Sequence, residues 1–98
     1  MNLLDQRVIV TGAASGFGAA IAQHLASMGA RVLVADLDGT GAQAMADRIG
    51  GPTLACAVDI SNQDQVQAMA QTAMQAWGGI DVLVNNAGTT HKTNRPST

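Results

Sequence analysis

The chain alternates short apolar runs with longer segments whose apolar residues recur at helical spacing. Four runs stand out: "RVIVT" (7–11), "RVLVA" (31–35), "TLACAV" (53–58) and "IDVLV" (80–84). Three are rich in Val, Ile or Leu without clean alternation, as expected of strands covered on both faces of a parallel sheet. The third contains Cys and two Ala, which are weak strand formers. Its assignment leans on its place between two helical segments. In the first helical segment Phe17, Ile21, Leu25 and Met28 recur at spacings of four and three, and Gly29 ends the run. Ala42, Met45, Ala46 and Ile49 mark the inner face of the second, closed by Gly50-Gly51-Pro52. The third opens on "SNQDQ", with Ser61 as the expected N-cap and Asp64 in the first turn. Its inner face is Val66, Met69, Ala70, Ala73 and Trp77, and Gly78-Gly79 stops it.

The order is therefore β-α-β-α-β-α-β, with connections too long for hairpins. Parallel strands joined by right-handed crossovers satisfy that order. If the first three strands step in one direction and the fourth returns to the far side of the first, the strand order is 3-2-1-4. The first two helices then cover one face and the third covers the other. The fourth strand is left as an exposed edge, with an apolar patch beside it. Such a chain alone is expected to be marginally folded or prone to aggregate.

Composition narrows the possible partners. Nearly half of the 98 residues are hydrophobic and the net charge is −2, with five basic residues that form no stripe. That argues for a packed core and against a nucleic-acid partner. A single cysteine, Cys56, excludes an intrachain disulfide and fits a reducing cytoplasm. No spacing of Cys or His suggests a metal, no signal-peptide pattern opens the chain, and no apolar stretch is long enough to span a membrane. Residues 89–98, "TTHKTNRPST", are polar and aperiodic, and are expected to form a loop or frayed end.

The chemistry concentrates where strands end. In "VIVTGAASGFGAAI" (8–21), Gly12, Gly16 and Gly18 separate the first strand from the first helix. A strand feeding straight into a helix leaves the first N–H groups unpaired, with dipoles that favour an anion such as phosphate. Glycine lets the backbone turn sharply and come close to that anion. Ser15 either adds a hydroxyl donor or caps the helix. A glycine turn can also reflect tight packing alone, so other residues must decide between the two.

Asp36 follows "RVLVA", roughly 20 residues past the turn, where an acid can accept hydrogen bonds from the adenosine ribose hydroxyls. The same carboxylate would repel a 2′-phosphate by up to ~4 kcal/mol per unit charge at an intermediate dielectric. Ala14, Ser15, Leu37 and Asp38 supply no cation to offset it, so NAD is expected over NADP. Asp59 and Ile60 end the third strand, where a carboxylate and a backbone N–H can address adenine; capping the next helix is the alternative task for Asp59. The fourth strand ends in "NNAG", Asn85 to Gly88. Its asparagines can pair with open backbone groups, and Ala87 and Gly88 keep the surface low. Both loops meet at the topological switch point, where open α/β sheets bind ligands.

With these residues in view, the chain resembles the short-chain dehydrogenase/reductase family. "TGAASGFG" matches the family's TGxxxGxG turn from Thr11 to Gly18, and "NNAG" matches its second signature. The resemblance implies an α/β, Rossmann-type doubly wound parallel sheet, incomplete here. It also implies a nicotinamide dinucleotide and hydride transfer with an alcohol or carbonyl substrate. Carried over residue by residue, the cofactor contacts would be Gly12, Ser15, Gly16, Phe17, Gly18, Asp36, Leu37, Asp59, Ile60, Asn86, Ala87 and Gly88. Residues 1–88 would be an NAD-binding half-domain.

The departure is that family members are much longer and place their catalytic Ser, Tyr and Lys in the second half. This chain has no tyrosine, and its only lysine is Lys92 in the polar tail. No catalytic residue is assigned, and the 98 residues alone are expected not to turn over substrate. Three readings stay open: the amino-terminal half of an NAD-dependent enzyme whose full-length form is a homo-oligomer, a free-standing dinucleotide-binding module, and an inactive truncated product. The substrate could be a 3-oxoacyl thioester, a sugar, a polyol, a steroid or a secondary alcohol.

Overall fold

The computed structural model describes residues 3–86, so Ala87, Gly88 and the 89–98 tail lie outside the described residues. The elements are β1 (Arg7–Thr11), α1 (Gly16–Ser27), β2 (Arg31–Asp36), α2 (Gly39–Ile49), β3 (Leu54–Ala57), α3 (Gln63–Trp77) and β4 (Val82–Asn85). All strand pairs are parallel and the order is β3-β2-β1-β4. This is the Rossmann-type arrangement expected from the sequence.

Alternation along the two central strands divides the core. Val8, Val10, Val32 and Val34 pack with Ala19 and Ala22 of α1 and with Ala42, Met45 and Ala46 of α2. Ile9, Leu33 and Ala35 face the other way, against Met69 and Ala73 of α3. Two helices thus lie on one face and one on the other. The outer strand β4 carries Val82 and Leu83 at 42% and 56% exposure, an apolar edge left open among the described residues.

Several local expectations change. Phe17 does not join the inner face of α1; it is 84% exposed, and the buried positions are Gly18, Ala19 and Ala22. A helix that approaches a sheet this closely makes its contact stripe from small residues. Met28 lies just past α1 as its C-cap. Asn62, not Ser61, caps α3 and accepts from the Gln65 amide at 3.1 Å. Ser61 is drawn away, because its amide and hydroxyl both donate to the Asp59 carboxylate. Ala70 is only half buried.

β3 is shorter than its apolar run, and β4 begins two residues late. At β4 the reason is Asp81. Its carboxylate receives the Arg7 Nε and Nη2 hydrogen bonds at 2.8 and 3.0 Å, plus the Arg7 backbone N–H at 2.8 Å. The forked pair ties the starts of β1 and β4 together. These bonds hold the Asp81 carboxyl down at about 2 and push the Arg7 guanidinium above its ordinary value.

Candidate functional site

At the carboxyl edge of the sheet, β1 leaves through Gly12 at φ +64°, and Gly16 opens α1 at φ +63°. Both are left-handed conformations that side chains resist. At Gly16 the space a Cβ would occupy is empty, so the turn presents bare backbone. Gly18 has a different task. A Cβ there would run into the Gly12 carbonyl oxygen and lie 2.7 Å from its carbon, so Gly18 allows α1 to sit directly on the turn.

The three helix starts differ. Asp38 caps α2 through the Gly41 amide at 2.9 Å, and Asn62 caps α3. Ser15 occupies the N-cap position of α1 with extended backbone, but its side chain makes no capping hydrogen bond. The amides opening α1 are thus not satisfied by their own cap, and no acidic residue stands in that first turn.

Asp36 lies beside this turn. The Ala14 amide donates to its Oδ2 at 3.0 Å, and the Asp38 amide to its Oδ1 at 3.0 Å. Two bonds leave a carboxylate with further lone pairs for a ligand. The link from Ala14 to Asp36 joins the glycine turn to the end of β2, and no local sequence pattern announced it. On the other flank, the Asn86 side-chain amide donates to the Gly12 carbonyl at 3.2 Å, and the Thr11 hydroxyl donates to Asn85 Oδ1 at 3.0 Å. Thr11 is only 2% exposed, and this buried polar side chain is the sequence signal that could have foretold the tie to β4.

The structure therefore places Gly12, Ser15, Gly16, Phe17 and Gly18 in or just after the turn that leaves β1, Asp36 and Leu37 at the end of β2 beside it, and Asn86 on its other flank. Phe17 and Leu37 are largely exposed, at 84% and 74%. Asp59 and Ile60 follow β3 at the same edge. The Asp59 carboxyl is held below the usual carboxylate range, first by the Ser61 hydroxyl and then by the Ser61 amide. Asp59 caps no helix, and its own amide donates to Gln65 Oε1 at 2.8 Å.

Charge is sorted along the strand direction. Asp36, Asp38, Asp59 and Asp64 all belong to the carboxyl edge. Among the described residues the arginines lie at the opposite end: Arg7 and Arg31 start strands, and Arg48 is in the last turn of α2. Arg7 and Arg31 pair there with Asp81 and Asp5.

The geometry fits a dinucleotide. The bare turn and uncapped amides suit a diphosphate, and the adjoining carboxylate suits a pair of sugar hydroxyls.

Comparison with known proteins agrees with that geometry. A family model described as short chain dehydrogenase matches residues 6–98. The 4-formylbenzenesulfonate dehydrogenase TsaC1/TsaC2 of Comamonas testosteroni is 51% identical over 100 residues, covering 99% of this chain and 39% of that protein. A 3-ketoacyl-(acyl-carrier-protein) reductase from Brucella melitensis, solved with NADH, is similar with a TM-score of 0.82 at 39% identity, over 84% of this chain and 34% of that one. A short-chain dehydrogenase/reductase from Burkholderia phymatum, solved with NAD, has a TM-score of 0.80 at 34% identity, over 85% of this chain and 31% of that one. The chain spans well under half the length of these relatives. The family model spans nearly the whole chain, and the chain belongs to the short-chain dehydrogenase family.

Proposed function

We propose that residues 1–88 form the dinucleotide-binding part of an NAD-dependent oxidoreductase that moves a hydride between NAD(H) and an alcohol or carbonyl group. The observation that carries this reading is the uncapped start of α1 beside Asp36, at a sheet edge with no arginine among the described residues. The amides of Gly16, Phe17 and Gly18 receive the diphosphate, with the Ser15 hydroxyl as an additional donor. Asp36 takes the adenosine ribose, Asp59 and Ile60 border the adenine with Leu37, and Asn86 contacts the cofactor on the other flank, with Ala87 and Gly88 of the same motif as further contacts implied by the family resemblance. When bound, the nicotinamide ring supplies the hydride chemistry.

The acid or base that moves the substrate proton is not among these residues, so the chain alone binds cofactor without turnover. The relatives named for 4-formylbenzenesulfonate and for 3-ketoacyl groups both have a carbonyl in their substrate's name. That supports the reaction class and leaves the particular substrate open. In the full-length form we expect a homo-oligomer.

The test is fluorescence titration of the chain and of Asp36→Ala with NADH and NADPH. The wild type should favour NADH at least tenfold, well within the ~4 kcal/mol upper bound for one charge at contact. Asp36→Ala should weaken NADH binding and narrow the gap. A wild-type preference for NADPH would contradict the role given to Asp36.

A further inference from the structure

The flank of the site formed by Asn86 depends on where β4 lies along β1. The two strands pair residue for residue, from Val8 with Val82 to Thr11 with Asn85. That register brings Asn86 beside the glycine turn, where its side-chain amide reaches the Gly12 carbonyl. A slip of one residue would carry Asn86 about 3.3 Å along the strand and turn its side chain to the opposite face.

Burial ordinarily forbids such a slip, because core residues would be brought into solvent. In β4 burial is a weak guard. Val82 and Leu83 are consecutive and so face opposite sides, yet they are 42% and 56% exposed, whereas Val8 to Thr11 of β1 are buried. Polar contacts set the register instead. One is the Thr11 hydroxyl on Asn85, close to the site itself. The others lie at the amino edge of the sheet, where Arg7 faces Asp81 one step before Val8 and Val82. The Asp81 amide donates to the Arg7 carbonyl at 2.8 Å. In return the Asp81 carboxylate accepts from the Arg7 amide, Nε and Nη2, at 2.8, 2.8 and 3.0 Å. Nη1 reaches on to the Trp77 carbonyl at the end of α3, at 3.5 Å. A single carboxylate that meets both the backbone amide and the side-chain fork of one arginine tolerates no slip.

We infer that Arg7 and Asp81 are positioning residues: their fork pins β4 to β1 at one edge of the sheet and so holds Asn86 against the glycine turn at the other. The inference rests on the reading that the Asn86 flank contacts the cofactor. Neither residue touches the dinucleotide; both act through the strands between. Solvent screens the charges of this exposed pair, so what it supplies is geometry rather than Coulomb energy. Its loss is felt by the half of the cofactor on the β4 flank and not by the half on the turn and Asp36.

Calorimetric titration of the 98-residue chain with NADH and with ADP separates the two halves. ADP carries the adenosine and the diphosphate, but nothing that extends towards β4. Asp81→Ala should weaken NADH about fivefold, the size of one lost hydrogen bond, and ADP by less than about twofold. In the same variant without ligand, the NMR signal of the Asn86 side-chain amide should move. Asp81→Asn keeps an acceptor oxygen for Arg7 and should hold NADH affinity within about twofold of the wild type. Gly79→Ala would place a methyl 2.6 Å from Arg7 Nη1 and push the guanidinium aside. It should shift NADH against ADP in the same direction but by less, and it keeps the test open should Asp81→Ala fail to fold. Equal weakening of NADH and ADP, or an unmoved Asn86 signal, would reduce the pair to a structural tie and overturn the inference while the NAD reading stands. An Asp81→Asn variant as weak as Asp81→Ala would point to charge rather than geometry and overturn it too. A wild type that binds neither ligand would overturn that reading and this inference with it.

Discussion

Gly18→Ala sets two effects of opposite sign against each other. Gly18 is the third residue of α1, and replacing a helical glycine with alanine ordinarily stabilises by ~1 kcal/mol. Here the new methyl would meet the Gly12 carbonyl and lie 2.9 Å from the Ala13 Cα, all of it backbone. Backbone cannot rotate away as a side-chain end can. Overpacking of this kind costs about 1–3 kcal/mol, or more where nothing yields. Relief by moving the turn would stretch the bond from Asn86 to the Gly12 carbonyl, about 1 kcal/mol more. The clash wins, and a net loss of about 1–3 kcal/mol is expected. For a domain of this size that is a fall in Tm of roughly 4–8 °C per kcal/mol. Urea titration followed by far-UV circular dichroism measures it. Gly16→Ala is the control, because its Cβ space is open and only the left-handed strain of about 1–2 kcal/mol applies. A Gly18→Ala variant as stable as the wild type, or more so, would refute the packing role assigned to Gly18.

The remaining expectations are briefer. Because the Asp81 carboxyl sits at about 2 when folded against an ordinary 3.8, the unfolded chain binds the extra proton between those values. The stability this acid confers is complete above about pH 4 and is lost as pH falls towards 2, so Asp81→Asn should flatten the acid limb of a stability–pH curve over that window. Asn62→Ala should cost about 0.5–2 kcal/mol in urea titration as a lost helix cap. Ser61→Ala should cost less, while returning the Asp59 carboxyl towards its ordinary range in an NMR titration. Leu83→Lys on the open β4 edge should reduce self-association in sedimentation velocity, since charge on an edge strand blocks pairing with another copy. Equal association in both proteins would place the sticky surface elsewhere.

Much of the architecture was legible because each level of the sequence agreed with the next. Apolar runs of strand length, separated by helical periods, admit only parallel pairing, and the alternation of Val8 and Val10 with Ile9 divides the two faces. The glycine turn, Asp36 and Asn86 were legible as neighbours because each follows or ends a strand at the same sheet edge. Phe17 misled because spacing alone does not distinguish a large residue on the packing stripe from one beyond it. The close contact in α1 is made by Gly18, Ala19 and Ala22. Ser61 and Asn62 are both good caps, and a preceding acid that engages the serine decided between them. The Arg7–Asp81 fork joins residues 74 positions apart, and the bond from Ala14 to Asp36 comes from a backbone amide. Neither leaves a trace in any local pattern.

The most direct measurement is a map of backbone amide shifts in the isotopically labelled chain as NADH is added. The account predicts that the largest saturable changes fall on Gly12 to Gly18 and on Asp36 and Leu37, with the far ends of α1 and α2 near Ser27 and Ile49 undisturbed. Changes centred on those far helix ends, or none at saturating NADH in a folded chain, would contradict it.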